Sequence, residues 1–218
     1  MPNPALADVL ASYVPRLIQH RVIANPSPIE TPASDDFQAA VLFADISGFT
    51  LLTERLAEKG PTGVESLARI LNEYFGQLID IIHEYGGDVV KFAGDAVIAV
   101  WNIASDDGQA GLPTRADQWQ WTMRAAECAL KVREKLTNYK AEDQNLYLKL
   151  AVSMGNITSS HVGGVFNRWE FLLTGNPLVE VGIATDAVFG VIIMVILLVQ
   201  INKSLHTLDV TELKSLKG

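Results

Sequence analysis

Residues 43–50 read Phe43-Ala44-Asp45-Ile46-Ser47-Gly48-Phe49-Thr50. The apolar run Ala39–Ala44 predicts a buried strand, and it ends on a carboxylate. Ser47-Gly48 turns the chain, and Leu51, Leu52 and Leu56 open a helical stretch. A strand that turns straight into a helix leaves the first helical N–H groups without partners, and such groups attract anions. A carboxylate beside that cradle is where a hard cation can bridge protein to phosphate. The plain alternative for Asp45 is a capping residue at a strand–helix turn.

The chain on either side fits around this unit. Gly60-Pro61 breaks the helical stretch. Val64–Tyr85 then predicts a long helix, with Leu67, Ile70, Leu71, Tyr74, Leu78, Ile81 and Ile82 on one apolar face. Gly86-Gly87 ends it. Val89–Phe92 and Ala96–Trp101, joined by Ala93-Gly94-Asp95, predict a tight hairpin. Asp117–Tyr139 predicts a second helix with Asp117 as its N-cap. Tyr147–Met154 and Trp169–Leu173 predict strands. Upstream, Leu6–Ile18 has helical spacing interrupted by Pro15, and Ala24–Phe37, with Pro26, Pro28 and Pro32, reads as an extended linker. The order strand, helix, hairpin, helix, strand is βαββαβ, an α+β fold of ferredoxin-like arrangement. Its antiparallel sheet is expected to carry helices on one face and leave the other for a ligand or partner.

Composition narrows the function. The 218 residues are 49% hydrophobic and 19% charged, which excludes a disordered chain. A net charge of −8 with no Lys/Arg run argues against nucleic-acid binding. The single cysteine, Cys128, excludes a disulfide framework and suits a cytoplasmic location. Met1–Asp8 lacks the basic start of a secretory signal. Ala187–Val199 is thirteen residues without a polar side chain. As a helix it would reach roughly 20 Å against a bilayer core of ~30 Å. A buried strand or helix is therefore preferred there over membrane contact.

Asp95 lies at the tip of the hairpin. In a βαββ unit the first strand and the hairpin are neighbours, so Asp45 and Asp95 are expected to converge at one end of the sheet. Two carboxylates without His or Cys, beside a phosphate-ready helix start, suit Mg²⁺ or Mn²⁺. Two such ions suit an in-line phosphoryl displacement.

Phe43–Thr50, taken with Gly86-Gly87-Asp88-Val89-Val90-Lys91-Phe92-Ala93-Gly94-Asp95, resembles the class III nucleotidyl cyclases. The similarity is greatest to the first catalytic domain of the soluble, bicarbonate-responsive adenylyl cyclases. The Val14–Ile18 region also resembles that branch, and the likeness covers roughly Ser12–Ala184. It implies that Asp45 and Asp95 hold two metal ions, with the Ile46 carbonyl completing one shell. It implies that amides of Ser47, Gly48, Phe49 and Thr50 hold phosphates, and that Lys91 reads the adenine of ATP. A lysine is a pure donor and suits adenine N1, an acceptor. The implied reaction converts ATP to 3′,5′-cyclic AMP and pyrophosphate.

The resemblance fails in two places. The family segment Gly-Asp-x-Val-Asn-x-x-x-Arg falls on Gly175–Ile183, where Val179 stands for the Asn and Ile183 for the Arg. Leu172 stands where an adenine-contacting acid or Thr is usual, and Gly182 where the bicarbonate-responsive branch has a basic residue. The chain thus reads as a metal-bearing half-site needing a second cyclase domain, in a homo- or heterodimer, and weak or silent alone. The alternative is a catalytically silent nucleotide-binding or dimerisation module. The expected division is an N-terminal helix and linker (1–37), a cyclase catalytic domain (38–184) and an atypical hydrophobic tail (185–218), whose Thr185–Gly218 does not match the family.

Overall fold

The computed structural model describes residue 9 and residues 11–102 and 114–187. Helix α1 (Arg16–Ala24) precedes strand β1 (Ala33–Ser47). Helices α2 (Phe49–Glu58) and α3 (Pro61–Glu84) follow, then the hairpin β2 (Asp88–Ala93) and β3 (Ala96–Trp101). Helix α4 (Arg115–Leu136), the short β4 (Tyr139–Ala141), the long β5 (Gln144–Gly163), β6 (Trp169–Thr174) and α5 (Asn176–Ala187) complete the order. The sheet runs β2-β3-β1-β5-β4, with β6 also on β5. Every pairing is antiparallel. The β2-β3-β1-β5 path is the ferredoxin-like α+β arrangement expected from the sequence.

Alternation along the strands builds two cores. Ala40, Leu42, Ala44 and Ile46 of β1 point to one face with Val97, Ala99 and Trp101 of β3, against Ile70, Tyr74, Leu78 and Ile82 of α3 and Ala125, Cys128 and Val132 of α4. Burial pushes the Cys128 thiol up to about 12. Trp101 is fully buried and donates its indole N–H to the Tyr85 carbonyl at 2.9 Å. Ala39 and Val41 point to the other face with Val100, Ala151 and Ile157.

That second face is not left open, as the βαββαβ reading expected. Val181 and Ala184 of α5 pack on it, while Phe43 and Ile98 towards the hairpin end stay half-buried. Pro15 interrupts the Leu6–Ile18 pattern as expected: Val9 and Ala11 are helical, residues 12–14 turn, and α1 starts afresh at Arg16 with Pro15 as the residue before its first turn. Two local expectations change. The linker is shorter, because the polar residues Ser34, Asp35 and Asp36 pair with Ser160, Ser159 and Thr158 of β5. Ser34 and Ser160 share a hydroxyl hydrogen bond at 3.0 Å, and Thr158 donates to Asp36 at 2.6 Å. Helix α4 is capped by Thr114, not Asp117. Asp117 is the third residue of a reciprocal capping box, its carboxylate accepting from the Thr114 amide at 2.8 Å. Residues 188–218, with nearly all of Ala187–Val199, lie outside the described residues. Among those described, no helix is long and apolar enough to cross a membrane.

Candidate active site

The register of the central strands brings the predicted residues to one end of the sheet. Asp45 lies directly opposite Ala96 of β3, the residue that follows Asp95 in the hairpin. On the other side Asp45 lies opposite Lys149 of β5. Directly opposed residues share a face, so Asp45, Ala96 and Lys149 form one row. The neighbouring row is Lys91, Ile98, Phe43 and Ala151. A bulge between Val89 and Lys91 sets Lys91 on this face, where it is exposed.

Asp45 is followed by the turn into α2. Gly48 is the N-cap residue, with φ 97° in the left-handed region, and no side chain caps the helix. A Cβ at Gly48 would lie 3.3 Å from the Asn145 carbonyl oxygen. Both the conformation and the close approach therefore require glycine. Helical bonding begins with the Leu52 amide donating to the Gly48 carbonyl at 3.2 Å. The amides of Phe49, Thr50 and Leu51 precede that bond, so they have no helical acceptor. Ile46 faces the opposite way and is buried among the helices, leaving only its backbone at this end.

Lys149 is the site residue that sequence reasoning missed. Its ammonium lies 3.9 Å from Asp45 Oδ2, with both side chains partly exposed. The signal was present in the alternation Tyr147, Lys149, Ala151, Ser153, but naming Lys149 required the register of β5 on β1.

A metal fits this donor set by chemistry. Among the described residues no three His, Cys, Asp or Glu side chains cluster. A site of two carboxylates and a backbone carbonyl is one that Mg²⁺ or Mn²⁺ shares with substrate phosphates.

The positions read as substitutes for the family's Asn and Arg lie on α5, not on the strands and turn that carry Asp45, Asp95 and Lys91. Val179 and Ile183 lie one turn apart on α5 and are 61% and 63% exposed. Leu172 is half-buried on β6 opposite Ser160. His161 sits in β5. It is buried against Phe171 at 5.3 Å, with Nδ1 unpartnered.

Residues 32–178 match the adenylate and guanylate cyclase catalytic domain, and the chain belongs to that family. It is 31% identical over 180 residues to adenylate cyclase type 10 of Mus musculus, covering 81% of this chain. It spans about a tenth of the length of that relative. A bacterial light-regulated adenylyl cyclase is similar in fold, with a TM-score of 0.58 at 21% identity, over 84% of this chain and 48% of that one. The adenylyl cyclase CyaB from P. aeruginosa gives a TM-score of 0.55 at 22% identity, over 71% and 74%.

Proposed function

We propose that this chain is the metal-bearing half of an adenylyl cyclase catalytic site. The observation that carries it is the register of Asp45 against Ala96, next to Asp95 and beside the uncapped start of α2. Asp45, Asp95 and the Ile46 carbonyl would hold two Mg²⁺ or Mn²⁺ ions, which supply charge neutralisation at the triphosphate and lower the pKa of the attacking hydroxyl. The amides of Ser47–Thr50 bind and orient the β- and γ-phosphates. Lys149, on the row of Asp45, presents a further cation to them. Lys91, one row away, donates to the adenine ring. The 3′-hydroxyl of ATP then attacks its own α-phosphate, and pyrophosphate leaves. No covalent intermediate forms, so the chain contributes position and field. Similarity to an adenylate cyclase supports ATP over GTP.

The exposed valine and isoleucine of α5 support the half-site. Neither offers a hydrogen bond or a charge, so a second cyclase domain has to supply the Asn and Arg. Without that partner, the same observation favours a nucleotide-binding regulatory module.

Titration calorimetry tests the binding half of this reading. Mn·ATP is expected to bind the chain, with affinity reduced at least about tenfold by Asp45→Ala or Asp95→Ala, the loss of one charge-assisted metal contact. Equal binding by both variants would remove the assignment.

A further inference from the structure

Two segments of the family resemblance are not used by the site, and they meet each other. Pro15 offers no side chain to cap α1. The cap comes instead from Asp88, more than seventy residues later and the first residue of β2. Its Oδ1 accepts from the Arg16 amide and its Oδ2 from the Leu17 amide, both at 3.0 Å. The Arg16 guanidinium donates to the Gly86 and Gly87 carbonyls at 2.9 and 2.7 Å. Gly87 is closed in from the other side, since a Cβ there would lie 2.6 Å from Trp101 and 2.7 Å from Ile82.

The far end of α1 reaches a different strand, with Arg21 Nε 3.6 Å from Asp35 of β1. No residue of α1 is buried. Polar contacts tie the helix to β2 and β1, the strands that lead to the Asp95 hairpin and to Asp45. Among the described residues β2 is an edge strand, paired to β3 alone, and its bulge lies between Val89 and Lys91. A one-residue slip at such a point turns a side chain to the opposite face. The clamp on Gly86-Gly87-Asp88 fixes the strand on the near side of the bulge.

We propose that Asp88 is a positioning residue, tying α1 to β2 so that the seating of α1 sets the placement of Lys91 at the nucleotide site. This rests on the nucleotide-site reading above. It makes α1 the element through which a preceding segment or a bound partner acts on the site.

The test uses the full chain, with Mn·ATP affinity and backbone hydrogen exchange read together. Asp88→Ala is expected to weaken Mn·ATP roughly two- to tenfold, and to add no loss in a Lys91→Met background. Amides of Val89–Ala93 should exchange faster while those of Ala40–Ala44 stay unchanged. Full loss in the Lys91→Met background, or wild-type affinity and exchange in Asp88→Ala, overturns the proposal. If the unaltered chain binds no Mn·ATP, the site reading is what fails. Exchange of Val89–Ala93 then decides the tie, with unchanged exchange overturning it. Should Asp88→Ala not fold, Arg16→Gln removes the grip on the two carbonyls at an exposed side chain. It is expected to move both readouts in the same direction by less, and no movement in either overturns the proposal.

Discussion

Lys149 and Asp45 face each other across the β1–β5 ladder, the ammonium 3.9 Å from the carboxylate. The pair is too exposed to stabilise the fold by more than about 1 kcal/mol. Its consequence is for ligands. A cation beside a metal-binding carboxylate competes with free metal but attracts the phosphates of a metal–nucleotide complex. Lys149→Met should therefore tighten Mn²⁺ binding without nucleotide and weaken Mn·ATP, each by roughly two- to fivefold for a screened pair. Parallel titrations with Mn²⁺ and with Mn·ATP check the opposite signs.

The seating of α2 depends on Gly63. A Cβ there would lie 1.8 Å from the Leu56 carbonyl oxygen, in the α2–α3 contact. Backbone cannot swing aside as a side chain can, so Gly63→Ala should cost at least ~2 kcal/mol. The shift would move the helix whose first turn is the proposed phosphate cradle. Chemical denaturation should show the lost stability, and Mn·ATP affinity should fall with it.

Val179 and Ile183 present one exposed stripe of α5. Val179→Asn with Ile183→Arg restores the missing donor and charge without disturbing the core, because neither side chain is buried. Stability should change by less than about 0.5 kcal/mol. Cyclic AMP formation by the chain alone should rise at least about 100-fold over the unaltered protein, the scale of one transition-state donor. No rise would indicate that α5 does not reach a partner's metal site.

His161 gives an acid-side prediction. Burial holds its imidazole below the usual histidine pKa of 6.5, and nearby Arg21 acts in the same direction while Asp35 opposes both. A depressed folded pKa means stability is complete above about 6.5 and falls as pH drops towards the folded value. The denaturation midpoint should decline as pH drops below about 6.5. His161→Leu, keeping an apolar group against Phe171, should flatten that decline.

The fold was legible where apolar period and glycine punctuation agreed. Leu78 and Ile82 on one helical face, and Gly86-Gly87 after it, placed α3 to within a turn. Strand ends were less legible. Residues 156–160 read Asn-Ile-Thr-Ser-Ser, loop-like by composition, but they pair with β1 through Ser34 and Asp36. Tertiary pairing overrides propensity there. Asp45, Asp95 and Lys91 were visible as local motifs. Lys149 and Asp88 were not, because each acquires its role from a partner more than seventy residues away. Coverage of the second face by α5 was hidden for the same reason, since Val181 and Ala184 carry no period beyond their own helix.

The most direct test of the half-site mixes this chain with a cyclase domain that carries the Asn and Arg but lacks its own metal aspartates. With Mn²⁺ and ATP, each component alone should be near background, and the mixture should form cyclic AMP. That activity should disappear with Asp45→Ala or Asp95→Ala in this chain. Robust activity from this chain alone, or a mixture indifferent to both substitutions, would contradict the account.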